Sequence, residues 1–335
     1  MKILFIGGNG NISWHCVQKA IDSGHEVFEL NRAVTRNTRR EVQPQVKQIT
    51  ADVRNDTAMK AALGDNVFDV ICDFICFNGE QAKQAIQRFN GRIRQYVVIS
   101  SEAVYRRESR FLPFTENTPQ YDESVKDNYI AGKAQMEQVF RAAYEKEGFP
   151  VTIVRPGYTY DTIVPAPVGQ NCFTAPQMFL NGYPLLMPGE GENLWSPLHS
   201  SDFAEAFVHL IGNISAVGEA YHITGERLIT WNELAEDLLK ALGANPANVI
   251  HIPRAEALNL GFHSRVVMEQ HLWHYIFDNR KIKSVAKGWN QKITFSEGIK
   301  ATIKWLFEDD VRRRINPIYE EKLNKLYEIY GKRNN

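Results

Sequence analysis

The stretch FIGGNGNISWHC, from Phe5 to Cys16, sets three glycines among small polar residues directly behind an apolar run. Its reading decides between an ordinary strand-to-helix turn and a dinucleotide-binding loop. Gly7 would permit the tight turn and Gly10 would let the backbone approach a pyrophosphate. A helix beginning near Ile12 would aim its free N–H groups at that anion. Ser13 stands where such loops carry their last glycine, and it is small enough for helix and strand to pack closely. Asn9 and Asn11 complete the loop residues expected to line a cofactor.

The next apolar run, ending ELNR, tests that loop. An acidic residue about 20 positions beyond the loop would accept hydrogen bonds from an adenosine ribose and select NAD. Asn31 occupies that place, and Arg32 beside it can grip a ribose 2′-phosphate with no carboxylate at the tip to repel it. The expectation therefore leans to NADP over NAD, with Glu29 kept as an alternative ribose acceptor. Asp52 and Val53, in TADVRN, fall where an adenine would lie, and Phe74 is a further candidate cofactor contact.

Further out, short apolar runs alternate with helical stretches. KILFIG, HEVFEL, VKQITAD, FDVICDFICF, QYVVISS and PVTIVRPG are mostly apolar at nearly every position, as strands buried on both faces should be. The fold class is therefore α/β, a doubly wound parallel sheet of Rossmann type with six strands reached by about Pro156. Helices are expected over SWHCVQKAIDSGH, DTAMKAALGD and KAQMEQVFRAAYEKEG, closed by Gly24, Gly64 and Gly148. Residues 1–157 form the nucleotide-binding domain on this reading. Residues 158–309 are mainly a smaller substrate-binding domain, 197–224 return to the first, and 310–335 are a helical extension. TWNELAEDLLKALG opens with a capping box of Thr230 and Glu233. Arg312 to Arg314 are read as a solvated helix face.

Composition narrows the function classes. Lys plus Arg and Asp plus Glu number 39 each, so the excess positive charge that drives most nucleic-acid or anionic-membrane binding is missing. No segment holds about 18 uninterrupted apolar residues, and Met1 to Ile6 read as a strand rather than a leader, so the expected compartment is the cytoplasm. Cys16, Cys72, Cys76 and Cys172 lack metal or redox spacing and are read as reduced thiols, with Cys72 and Cys76 on one face of a strand. No zinc spacing joins His199, His263, His271 and His274, and no metal is expected.

VISSEAVYR puts Ser100, Ser101 and Glu102 at the carboxyl end of a strand, where ligands of open α/β sheets bind. DNYIAGKAQME then places Tyr129 and Lys133 four apart, on one face of a helix. A phenol titrates near pH 10, so it needs a nearby cation to act as a base, and Lys133 with an oxidised nicotinamide would supply one. Tyr129 could then take the proton of a substrate hydroxyl while hydride leaves the same carbon, with Ser101 bonding that oxygen.

Together, GGNGNIS, ISSEAVY, YIAGK, IVRPGYTYD, PGEGENLWSPLHSSDFAEAF and YHITGERLITWNEL resemble the extended short-chain dehydrogenase/reductases, the NAD(P)-dependent sugar epimerase/dehydratase family, from Lys2 to about Asp309. The resemblance implies Ser101, Tyr129 and Lys133 in the Ser, Tyr and Lys roles. It also implies a sugar or nucleotide-sugar substrate taken through a keto intermediate, and a homodimer. Tyr158, Asn171, Trp195 and His199 join Ser101 and Glu102 as candidate substrate contacts; the usual phosphate-binding Arg is missing near Trp195. Glu102 and Ala103 stand where sugar 4,6-dehydratases carry an Asp and a Glu, so one carboxylate is kept and one lost. The alternatives are an NADP-dependent reductase and, in another class, a non-catalytic RNA-binding relative, to which GGNGNIS and LNR bring the chloroplast stem-loop RNA-binding proteins close.

Overall fold

The computed structural model describes residues 1–32, 40–122, 124–168, 172–261, 268–269 and 271–331. Six strands, β1 Lys2–Ile6, β2 Glu26–Asn31, β3 Lys47–Thr50, β4 Val70–Asp73, β5 Gln95–Ile99 and β6 Val151–Pro156, join the strand Ala220–Ile223 in one parallel sheet. Its order is Ala220–Ile223, β6, β5, β4, β1, β2, β3, and the direction of winding reverses between β1 and β4. Register aligns Ile6 with Asp73, Asp73 with Val98 and Ile99 with Val154. The carboxyl ends of β1, β4, β5 and β6 therefore form one edge, which the candidate residues follow.

The apolar runs have two partners. Leu4 and Ile6 of β1 pack into one core with Ile71, Val98 and Phe140, while Ile3 and Phe5 pack into another with Cys72, Val97 and Phe207. Both faces of the inner strands are covered, which is why they carry no polar alternation, while β3 at the sheet edge is mostly exposed, contrary to the reading of VKQITAD as a buried strand. Cys72 and Cys76 are separated by this geometry: β4 ends at Asp73, the chain turns, and Cys76 enters the opposite core. The expectation that they share a face fails because the apolar run is longer than its strand. All four described cysteines are free thiols.

Helices α1 Ser13–Asp22, α2 Asp56–Leu63, α3 Gly79–Phe89 and α4 Asn128–Glu147 flank the sheet. Gly64 and Gly148 stand at the ends of α2 and α4 at positive φ. Segment 200–223 returns to the sheet as the helix Ser200–Phe207 and the strand Ala220–Ile223, and Ile282, Ala286 and Trp289 pack beside it.

A third core holds the remaining C-terminal elements, among them the helices Trp231–Leu242, Phe295–Phe307 and Pro317–Tyr330. The capping box of Thr230 and Glu233 is formed, and a second one joins Thr294 and Glu297. The basic triplet does not lie on a helix face. It falls at the break between the last two helices, where Arg312 bonds the Trp305 carbonyl and Glu308 while Arg313 pairs with Asp310. Among the described residues no helix is long and apolar enough to cross a membrane.

Candidate active site

The glycine loop leaves β1 at the point where the sheet reverses. Gly7 has φ +77°, and a Cβ there would meet Ile75 at 2.6 Å, so turn and packing both demand glycine. Ser13 is buried, and its Oγ accepts from the Gly10 N–H at 2.7 Å and donates to the Gly7 carbonyl at 2.7 Å. The missing third glycine is thus replaced by a hydroxyl that ties the loop to itself. No side chain caps the N-terminus of α1 and no acid lies in its first turn. Asn9 Oδ1 is buried without a partner. Open N–H groups and the turn of Gly7 fit a dinucleotide pyrophosphate, while the Asn9 oxygen, an acceptor, suits a hydroxyl or N–H donor instead. Ile12 packs on the core beneath, and the Asn11 side chain fastens the loop to Thr159 O and Thr162 N–H.

At the end of β2, Arg32 is exposed and has no ion-pair partner among the described residues, while Asn31 Nδ2 donates to Glu29. Glu29 is 1% exposed and lies under Gly8, whose Cβ would meet it at 2.7 Å. Burial raises its pKa, opposed by the bond from Asn31, and its position beneath the loop removes it as a ribose acceptor. Asp52 is held in a two-point ion pair by Arg54, and the Val53 carbonyl accepts from Arg88. Phe74 is partly buried between Phe5 and Phe207, with ring centroids 6.1 and 5.6 Å away.

The catalytic candidates meet beyond β5. Ser101 Oγ donates to Glu102 Oε2 at 3.0 Å and accepts from the Ala103 N–H at 3.1 Å, with the Tyr129 phenol close enough for Ser101 to lower its pKa. Asp127 caps α4, accepting from the N–H groups of Tyr129 at 3.0 Å and Ile130 at 2.9 Å. One turn on, Lys133 is 1% exposed, and its Nζ donates to Ile99 O at 2.7 Å and Cys76 O at 2.8 Å. That ammonium lies 5.9 Å from the centroid of the Tyr129 ring.

Gly132, between the two, lets α4 press on the preceding loop: a Cβ there would sit 2.5 Å from Phe77 O. The buried pair Glu137 and Arg155 fixes the same helix to β6, with Nη2 to Oε2 at 2.6 Å. Desolvation pushes the Tyr129 phenol up to about 12, helped by the negative Glu102 and Asp127 and opposed by the Ser101 hydroxyl. Burial draws Lys133 down to about 8.

The Tyr275 hydroxyl accepts from Arg107 Nη2, and both groups lie close enough to Glu102 to lower its pKa. Burial raises the Glu102 pKa against the charge of Arg107 and the hydroxyls of Tyr275 and Ser101. Trp195 packs with Tyr158 at 5.1 Å, Trp231 at 4.5 Å and Tyr275 at 4.7 Å, an aromatic wall running through Tyr275 towards Glu102.

His199 is elsewhere. It caps the helix Ser200–Phe207 and lies with His15 and Arg40 around Asp161, 3.6 Å from one of its oxygens. The structure thus seats it beside α1 rather than with Ser101 and Tyr129, because its own helix start and a buried carboxylate claim its ring. Asn171 and His263 lie outside the described residues.

Arg107 and Tyr275 escaped the sequence reading. Neither stands in a motif, and their pairing across 168 residues exists only in the fold. Asp127 and Gly132 carried local signals, a capping Asp before a helix and a glycine inside one. Among the described residues no group of three or more His, Cys, Asp and Glu is placed to hold a metal ion.

The profile of the NAD dependent epimerase/dehydratase family matches residues 3–224, the sheet, the glycine loop and the Ser101, Tyr129 and Lys133 constellation. The chain belongs to that family. It is an enzyme of the extended short-chain dehydrogenase/reductase type that works with a nicotinamide cofactor. The chloroplast stem-loop binding protein of 41 kDa b from Arabidopsis thaliana is 25% identical over 89% of this chain and 77% of its own. A dTDP-glucose 4,6-dehydratase from Streptomyces niveus is 25% identical over 91% of this chain and 92% of its own. The crystal structure of dTDP-glucose 4,6-dehydratase from Bacillus anthracis in complex with NAD has the same fold. It superimposes with a TM-score of 0.71 at 21% identity, covering 93% of this chain and 98% of that one.

Proposed function

We propose that this family member oxidises a carbinol of a sugar or nucleotide-sugar to a ketone, then re-reduces it as an epimerase or lets it lose water as a dehydratase. The observation that carries this reading is the Ser101 hydroxyl bonded to Glu102 at the end of β5, with Tyr129 and Lys133 one turn apart on α4 and the Lys133 ammonium held at the end of β5. Ser101 orients the substrate oxygen, Tyr129 takes its proton, and Lys133 keeps a positive charge behind the pair. A phenol near 12 is a weak base at neutral pH, so Tyr129 needs more positive charge than Lys133 brings at its present distance. The nicotinamide cofactor, when bound, supplies that charge and accepts hydride. Glu102 is the group for moving a proton on carbon beside the ketone, working alone where 4,6-dehydratases use two carboxylates. The exposed Arg32, neutral Asn31 and withdrawn Glu29 support NADP.

The test is turnover of dTDP-glucose and UDP-glucose in D2O after loading with NADP or NAD. Deuterium entering beside the ketone marks elimination, and inversion without it marks epimerisation. Tyr129→Phe is expected to lower either rate about 10²-fold or more. No turnover together with no nucleotide binding defeats the reading. Free exchange of NADPH with solvent and net reduction of a carbonyl would favour a reductase. Similarity to a stem-loop binding protein over most of the chain favours a second reading, an RNA-binding platform. Retention of a stem-loop RNA equally by the parent and Tyr129→Phe would support it. The expected homodimer is read by light scattering.

A further inference from the structure

Arg107 is 9% exposed, yet only its Nη2 is hydrogen-bonded, to the Tyr275 hydroxyl. Its Nε and Nη1 are buried without partners, and no carboxylate lies within ion-pair distance among the described residues. A guanidinium keeps its charge under all ordinary conditions and carries five donors in a rigid fork, so a dry one with idle donors is a half-finished site. The group is fixed: it lies 3.5 Å from the centroid of the Tyr275 ring. Arg107 bonds Tyr275, and this pair lies beside Glu102, the carboxylate bonded by Ser101, so the guanidinium is close to the proposed catalytic group.

The neighbouring wall has the same character. The indole N–H groups of Trp195 and Trp231 are also buried without partners, and Trp195 packs 4.7 Å from Tyr275. The unpartnered atoms of Arg107, Trp195 and Trp231 are all donors. Glu102, the carboxylate nearby, is already engaged by Ser101. What such a wall lacks is an acceptor-rich, negatively charged group, and a planar or tetrahedral oxyanion matches the free edge of a guanidinium.

We propose that Arg107, with Trp195 and Trp231, forms a subsite for an oxyanion carried on the sugar itself, a carboxylate or a phosphate, so that the enzyme prefers an acidic sugar to its neutral counterpart. The inference rests on the sugar-oxidising function above and names the class of sugar. Arg107 is a specificity residue here and takes no part in proton transfer.

The test needs binding alone. Full-length protein loaded with its nicotinamide nucleotide is titrated, by tryptophan fluorescence, with UDP-glucuronate against UDP-glucose and with glucose 6-phosphate against glucose. At least one acidic member is expected to bind about tenfold or more tighter than its neutral partner, and the pair that responds tells carboxylate from phosphate. Arg107→Gln is expected to erase that preference while leaving neutral binding within about twofold. Tyr275→Phe, which keeps the guanidinium, should retain part of it and answers the question should the first variant not fold. Equal binding of acidic and neutral sugars by the parent, acid preference surviving in Arg107→Gln, or no binding of any probe overturns the proposal. Nucleotide binding is read in the same samples, so its loss identifies failure of the wider reading instead.

Discussion

At the scale of single residues, the site sets dry groups, Ser13 and Lys133 at 1% exposed, around a Tyr129 that is 47% exposed. Ser13 shows how little freedom this leaves: one hydroxyl both accepts and donates within the loop, which a glycine could not do. Lys133 shows the cost. Its ammonium is buried against two carbonyls, and burial draws its pKa from 10.5 to about 8. Between these values the unfolded chain holds a proton that the folded one has shed, so folding stability rises with pH across that window. The gap corresponds to about 3 kcal/mol, present in full above pH 10.5 and lost as pH falls through 8. Lys133→Met cannot titrate, and its lost hydrogen bonds cost the same at every pH. Urea unfolding from pH 7 to 11 should show the stability difference moving towards the wild type by about 3 kcal/mol. A constant difference would show that the buried ammonium is not penalised.

At the scale of elements, α4 decides whether Tyr129 and Lys133 meet the sheet edge correctly. Its start is set by Asp127 and its approach by Gly132, whose neighbour Phe77 O leaves no room for a methyl group. In an open helix Gly→Ala would stabilise by about 1 kcal/mol. Here Gly132→Ala should destabilise by about 2 kcal/mol, because the obstructing atom is backbone and cannot rotate away. The kcat should fall further than that loss alone explains, since the displaced turn carries both catalytic side chains. Thermal unfolding beside steady-state kinetics checks both, and a stabilised, fully active variant would refute the close-contact argument.

The placing of Ser101 at a strand end and of Tyr129 and Lys133 one turn apart on a helix was legible, because both are local properties. The distance from Lys133 to the tyrosine ring was not, because it depends on how Ile99 O and Cys76 O compete for the ammonium. Strand length was also hidden: FDVICDFICF is apolar apart from Asp69 and Asp73, yet only Val70–Asp73 is strand.

At the scale of the whole molecule, the parallel sheet and its winding followed from uninterrupted apolar runs, whereas contacts between distant segments did not. Asp161 is the clearest case. It gathers His15 from α1, Arg40 from beyond β2 and His199 from the start of the helix Ser200–Phe207, and no pattern in TYDT announces three such partners. Its side chain is 2% exposed. Burial alone would raise its pKa, yet hydrogen bonds from His15 and Arg40, with His199 beside them, hold it well below the usual carboxylate range. A carboxyl depressed in the folded state stabilises it above the unfolded pKa of about 4, and this contribution disappears as pH falls through the folded value. Asp161→Asn leaves Arg40 with a neutral partner, and breaking a buried charge pair on one side costs about 3 kcal/mol. The variant should therefore unfold at lower denaturant at pH 7, while the difference from wild type shrinks steadily below pH 4. Because Asn11 ties the glycine loop to Thr159 and Thr162 on either side of Asp161, nucleotide affinity should fall with stability at pH 7. Equal pH 7 stability of the two proteins would mean that the contacts around Asp161 do not join these segments energetically.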